Sequence, residues 1–184
     1  MRFLKTAIML GSLMVTSIAV AQTIEDFEAK PETRWIYFAD TVMGGVSQGG
    51  VQFLTEGEQS FARIKGEVST DNNGGFIQIR ASFGGSIPEN TSGLTLRVRG
   101  NGERYYIHLR TRGSRMPWQY YQASFPTTDE WTEVSIPFSG FKPSGGLLRN
   151  KLRPSGLRTI GIVAYGKNHF AELDVNSVAL YQEM

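Results

Sequence analysis

From residue 35 onward, apolar and polar residues alternate with a period of two, and glycine or Asn-Gly steps separate the alternating runs. The clearest run is Leu94-Thr95-Leu96-Arg97-Val98-Arg99, three apolar positions on one face and three polar on the other. Gly100-Asn101-Gly102 follows, and then a second alternating run over residues 105–112. An Asn-Gly step tolerates positive φ at both residues, so this spacing predicts a hairpin. The same pattern predicts strands at residues 35–39, 50–54, 61–66, 76–83, 119–125, 132–137, 159–165 and 172–181. No window of twelve residues beyond the N-terminal segment carries a helical stripe. Ten short strands in one unit predict an all-β domain, a sandwich or jelly roll. Residues 141–156 break the alternation with Pro143, Gly145, Gly146, Pro154 and Gly156, and add Lys142, Arg149, Lys151 and Arg153. They read as a long basic loop, a kind of segment that usually binds something or lacks order.

The N-terminus has a different pattern. Arg2 and Lys5 precede an apolar run over residues 6–20 that closes on Ala19-Val20-Ala21, the small-x-small pattern of a signal-peptidase site. The run is shorter than the roughly 18 to 20 apolar residues that span a bilayer. Residues 1–21 are therefore expected to be a signal peptide cleaved before Gln22. Residues 22–184 then form one domain in the periplasm or outside the cell, with no membrane span. Of the 19 basic and 17 acidic residues, the leader takes Arg2 and Lys5, which leaves 17 of each and no net charge. A neutral domain lacks the long-range attraction of non-specific nucleic-acid binding, so nucleic acid is not an expected partner. With no cysteine there is no disulfide, thiolate nucleophile or cysteine zinc site. His108 and His169 are the only histidines, and no metal or cofactor is expected.

Candidate catalytic groups are sparse. No G-x-S-x-G elbow or phosphate-binding glycine loop occurs, and Ser47 in its glycine-rich stretch reads as a turn residue. Carboxylates for glycoside hydrolysis are Asp71, Glu89, Asp129 and Glu130, all in predicted turns where acids serve solvation. The domain is therefore read as a non-catalytic binding module. Its candidate surface follows from the strand phase. With Leu94, Leu96, Val98, Tyr105, Ile107 and Leu109 inward, the alternation turns Arg97, Arg99, Tyr106, His108 and Arg110 outward. The next predicted strand adds Trp118, Tyr120 and Gln122. If the three strands are neighbours, these eight residues share one face. Aromatic rings beside guanidinium groups suit a protein partner or a glycan, and a solvated face supported by cross-strand pairs is the plain alternative.

Asp40-Thr41-Val42-Met43-Gly44-Gly45-Val46-Ser47 reads as a strand end, a tight Gly-Gly turn and a new strand, with Asp40 placed to accept hydrogen bonds from turn amides or to serve as one ligand of a structural cation. This octapeptide resembles the signature of the complex I intermediate-associated protein 30 family. Residues 93–111, residues 121–138 with Trp131, and the strand at residues 161–165 resemble it too. The resemblance implies a galactose-binding-like jelly roll and a chaperone-like assembly role in which the mitochondrial member serves NADH:ubiquinone oxidoreductase. It assigns Asp40, Met43, Gly44, Gly45 and Ser47 to a fold-defining motif and names no catalytic residue. An export signal departs from a matrix protein, so the role expected here is binding or chaperoning of an exported partner, with carbohydrate binding as the alternative. Intact-mass measurement on the exported protein is expected to show a chain beginning at Gln22; a retained leader contradicts the export reading.

Overall fold

The structure, a computed structural model, describes residues 20–183. The expected leader lies, through residue 19, outside the described residues. Two antiparallel sheets face one another across a single core. Sheet A contains β1 (Val20–Glu25), β3 (Gln48–Glu56), β4 (Gln59–Val68), β6 (Gly93–Gly100), β9 (Thr132–Pro137) and β12 (His169–Gln182). Its order is β3-β4-β12-β6-β9, and β1 pairs with the second half of β12. Sheet B contains β2 (Ile36–Ala39), β5 (Phe76–Ser82), β7 (Arg104–Thr111), β8 (Tyr121–Pro126), β10 (Lys142–Pro143) and β11 (Leu157–Tyr165). It runs β10-β8-β7-β11-β5-β2.

All ten strands expected from the alternation are present, and the inward phase is the expected one. Leu94, Leu96 and Val98 of β6 join Ile64, Leu173 and Val175 from sheet A. They meet Tyr105, Ile107, Leu109, Ile79 and Ile162 from sheet B, and all of these side chains are buried. Burying each such side chain contributes about 1.5 to 3 kcal/mol, so this interface is the main source of stability. The strands not anticipated are β1 and the two-residue β10, too short to carry a period. Residues 141–156 are also less free than expected, since Phe141 and Leu148 are buried and a 3-10 turn spans Pro154–Gly156.

One expectation is overturned. β6 and β7 do not form a hairpin, because β6 pairs with β12 and β9 while β7 pairs with β11 and β8. Asn101 and Gly102 (φ 82°) instead carry the chain from one sheet to the other. Asn101 helps hold this arch, its Nδ2 donating to the Phe170 carbonyl at 2.8 Å and its Oδ1 accepting from the Tyr105 hydroxyl at 2.7 Å. Both strands still point their apolar residues at the core, but from opposite sides.

The two sheets are also tied by one carboxylate. Asp40 follows β2 in a 3-10 turn (Asp40–Met43) and is completely buried. Its Oδ1 accepts from the Ser47 amide at 3.0 Å, just before β3 in sheet A. Its Oδ2 accepts from the Ser47 hydroxyl at 2.5 Å and from the Gly75 and Phe76 amides, at 2.5 and 3.2 Å, where β5 of sheet B begins. Gly44 closes the turn at φ 90°, a conformation that L side chains resist. Gly45 lies against the carboxylate, and a Cβ there would stand 2.3 Å from Asp40 Cγ. Burial works against the charged form of Asp40, but the surrounding donors outweigh it and hold its carboxyl below the usual range. Burial likewise opposes ionisation of Glu25, and hydrogen bonds from Arg34, Trp35 and the Phe27 amide outweigh it.

Asp40→Ala strands several buried donors and is expected to lower stability by about 3 kcal/mol, read from denaturant midpoints. Gly45→Ala, which drives a methyl into the carboxylate, is expected to cost more than Gly44→Ala, whose strain is about 1 to 2 kcal/mol. The stability that Asp40 and Glu25 supply is complete above about pH 4 and is lost as pH falls through their depressed folded-state values. Equal tolerance of alanine at Gly44 and Gly45 contradicts this account of the turn.

Candidate functional site

The eight outward residues read from the sequence divide between opposite faces of the sandwich. Arg97 and Arg99 lie on the outer face of sheet A, where they already have partners. Arg99 Nε bonds Asp174 Oδ2 at 2.7 Å and its Nη2 bonds Glu56 at 2.7 Å, while Arg63 holds the other Asp174 oxygen at 2.7 Å. Arg97 and Arg99 also lie over the Trp131 ring, at 5.7 and 4.6 Å from its centroid. Phe61 meets Trp131 edge-on at 5.6 Å. Asp174 is 3% exposed, so this ion-pair and aromatic network is structural and leaves little unmet bonding capacity.

Tyr106, His108, Arg110, Tyr120 and Gln122 do come together, on the outer face of sheet B. His108 and Gln122 are directly opposed on β7 and β8, and Arg110 is opposed to Thr159 on β11. The His108 ring stacks on Tyr120 with centroids 4.0 Å apart and 13° between planes. Tyr165, from β11, meets both His108 and Tyr106 edge-on at 5.5 and 5.6 Å. Trp118 is not in a strand. It lies in the connection between β7 and β8 and is 63% exposed, its carbonyl accepting from the Ser144 hydroxyl at 2.7 Å. Gln119, expected to begin that strand, is buried and accepts from the Arg115 and Met116 amides, so β8 starts at Tyr121.

The alternation also places on this face residues not selected from the sequence. Phe38 and Phe76 meet edge-on at 6.1 Å, and the Arg80 guanidinium lies 4.5 Å from the Phe38 centroid. Gly161 sits opposite both His108 and Arg80 at the centre of the face, and a Cβ there would meet Gln78 Oε1 at 2.9 Å. The signal for these residues was their outward phase in strands 76–83 and 159–165; the missing fact was that β11 separates β7 from β5.

Polar groups on this face are incompletely satisfied. His108 Nε2, Gln122 Oε1, Arg110 Nε and Thr159 Oγ1 are buried without a well-formed hydrogen bond, four of the six such atoms among the described residues; of these, the His108 and Gln122 side chains face each other and interact. The four lie in two opposed pairs two residues apart along β7, so they form one cluster. A buried polar atom without a partner costs about 1 to 3 kcal/mol, and such a cluster is tolerated where ordered water or a ligand completes it. Burial pushes the His108 imidazole down to about 4, with nearby Gln122 opposing the shift, so the ring is neutral at pH 7. Burial and the neighbouring Tyr165 hydroxyl push the Tyr120 phenol up. Arg80 is pushed down by burial and by the Arg110 charge.

No strand of sheet B carries an Asp or Glu, so paired-carboxylate chemistry has no acid there. The turn carboxylates Asp71, Glu89, Asp129 and Glu130 are exposed. The described residues contain no group of three or more His, Asp or Glu side chains placed to hold a metal. In the Asp40 motif, Asp40, Gly44, Gly45 and Ser47 build the buried turn, whereas Met43 is 63% exposed and adds nothing to it.

Neutral burial of His108 has a measurable consequence. Its stabilisation is full above about pH 6.5, the unfolded-state value, and is lost as pH falls towards about 4. That interval lies above the window of Asp40 and Glu25. His108→Gln is expected to flatten the dependence of the denaturant midpoint between pH 6.5 and 4, and the His108 ring resonance should titrate near 4. Titration near 6.5 contradicts the burial of this ring.

The fold has close structural counterparts. The Family 11 carbohydrate-binding module of a cellulosomal cellulase of Clostridium thermocellum superposes with a TM-score of 0.71 at 14% identity, covering 91% of this chain and 97% of the module. The same family's module in complex with a β-1,3-1,4-mixed-linked tetrasaccharide gives 0.70 at 15% identity, with 90% and 96% covered. An agarase matches at 0.59 and 9% identity, over 89% of this chain and 25% of the enzyme. At these identities the likeness establishes the fold alone, a galactose-binding-like β-sandwich. No curated protein sequence matches the chain. The sequence profile of Complex I intermediate-associated protein 30 matches residues 25–175, and the chain belongs to that family.

Proposed function

We propose that this protein is a non-catalytic glycan-binding module that works outside the cytoplasm and holds its ligand on the outer face of sheet B. The observation that carries the reading is the cluster of incompletely satisfied polar side chains His108, Gln122, Arg110 and Thr159, flanked by the rings of Tyr106, Tyr120 and Tyr165. A sugar offers what such a face needs. Its apolar ring face packs on an aromatic ring, and its hydroxyls hydrogen-bond to the half-buried side chains of Gln122 and Arg110. Structural neighbours that are carbohydrate-binding modules, one in complex with a tetrasaccharide, support the same reading. Export, expected from residues 1–21, would bring the domain to polysaccharides of the cell exterior.

The family description favours a second reading, an assembly factor that holds a protein partner. Exposed Val42, Met43 and Val46 at the Asp40 turn supply apolar surface for that role.

Titration calorimetry against a polysaccharide panel separates the two. Binding to at least one glycan is expected, with Tyr106→Ala weakening it by about 2 kcal/mol, roughly thirty-fold, at an unchanged fold by circular dichroism. Trp118→Ala, at an exposed site, leaves the melting temperature unchanged and tests whether the rim of the face takes part. No binding across the panel, with crosslinking to a protein through the Val42–Met43 turn, overturns the glycan reading.

A further inference from the structure

We infer that the ligand of the sheet B face is an anionic glycan, one bearing carboxylate or sulfate groups. The inference rests on the glycan reading above and adds the charge of the sugar, which comes from a separate observation. Residues 22–184 balance 17 basic against 17 acidic residues, yet the two sheets do not share them evenly. Sheet A strands carry Glu25, Glu56, Glu67, Glu133, Glu172 and Asp174, whereas the strands of sheet B carry no acid and five cations, Arg80, Arg104, Arg110, Lys142 and Arg158. None of the six ion pairs among the described residues uses a sheet B side chain.

The imbalance is strongest at the site itself. Arg80 and Arg110 are both half-buried on the outer face and repel each other, and Arg80 lies over the Phe38 ring with no carboxylate beside it. Arg110 satisfies its Nη2 with the Ser114 and Met116 carbonyls and leaves Nε free. Two partly desolvated guanidinium groups without a counter-ion are unfavourable in the unliganded protein, and an arriving anion relieves both.

The positive region continues past the end of β7. Arg112 stands two residues beyond Arg110, in the turn that follows β7. There it lines a cavity of about 380 Å³ together with Arg149, Lys151 and Arg153 from the connection between β10 and β11. Arg149 is held in place through its carbonyl, which accepts from the Tyr121 hydroxyl at 2.9 Å. Among the described residues, Glu89 is the one carboxylate bonded to this loop, and it engages Ser155. An extended chain of charged sugars would thus meet aromatic rings and guanidinium groups on the face, then a basic cavity at its edge. A neutral glycan leaves all of these cations uncompensated. The net neutrality of the domain concealed this polarity, since field depends on where charges stand and not on their sum.

The test is affinity measurement on matched pairs: a panel of acidic polysaccharides, each beside its neutralised form. Polygalacturonate is paired with its methyl ester, and a sulfated galactan with its desulfated backbone. For at least one pair the charged form is expected to bind ten-fold or more tightly at low salt, with the gap closing at high salt. Arg80→Gln and Arg110→Gln each narrow that gap several-fold, Arg97→Gln on the other face leaves it unchanged, and Tyr106→Ala weakens both forms alike. Equal binding of charged and neutral forms overturns the inference while the glycan reading stands. Failure of every polysaccharide overturns the glycan reading and this inference with it. Tighter binding of oligo-dT than of any acidic glycan also overturns the inference, because the face would then serve a nucleic acid.

Discussion

A buried carboxylate fixes how the two sheets are joined. Asp40 is reached by the Ser47 amide and hydroxyl at the start of β3, and by the Gly75 and Phe76 amides at the start of β5. Those strands belong to different sheets, so one side chain coordinates two elements that share no backbone hydrogen bonds. The glycines of the motif follow from this. Gly44 supplies the left-handed turn and Gly45 leaves room for the carboxylate. Gly74 makes a similar allowance on the other side, where a Cβ would stand 2.5 Å from Asp40 Oδ2. Apolar burial provides most of the stability, but it has no direction. The carboxylate, with four directed hydrogen bonds, selects one arrangement among those that would bury the same area.

The outer faces diverge in consequence. Sheet A closes its outer face with its own chemistry, Asp174 between Arg63 and Arg99, and Trp131 against Phe61 and two guanidinium groups. The buried Asp174 and the two guanidinium groups that hold it are partnered within the chain. Sheet B instead carries stacked rings, orphaned polar atoms and unopposed cations around a glycine at its centre. The contrast matters more than either face alone, since it comes from one fold with one core and therefore reflects the residues at outward positions. Family membership fixes the scaffold, and these outward residues decide what it holds.

Strand positions and inward phase were legible because alternation is a local property: Leu94, Leu96 and Val98 are buried as the pattern requires. A carboxylate ahead of Gly-Gly implies turn amides to receive, as Asp40 receives that of Ser47, but its bonds to the distant Gly75 and Phe76 amides leave no local signal. Sheet membership was not legible. An Asn-Gly step joins two strands equally well within a sheet or across the core, and the residues on either side alternate in the same way in both cases. The same ambiguity reaches the site: alternation turns Arg97, Arg99 and Arg110 outward alike, although the sandwich stands between the first two and the third. Arg80, Phe38 and Tyr165 were passed over for the converse reason, as strands distant in sequence became neighbours through β11. The charge asymmetry between sheets depends on which strands share a sheet, which the local pattern does not specify.

The order in which the chain is made bears on how sheet A closes. β12 pairs with β4, β6 and β1, and among the described residues it is the only strand that links the β3–β4 hairpin to the β6–β9 pair. It is also synthesised after all of them. Until residues 169–182 have emerged, sheet A exists as separate two-stranded pieces with open edges, each marginal on its own. Sheet B is complete one strand earlier, at β11. A nascent chain of this protein therefore holds half of its sandwich open until β12 is released, and that interval is when a chaperone has most to protect.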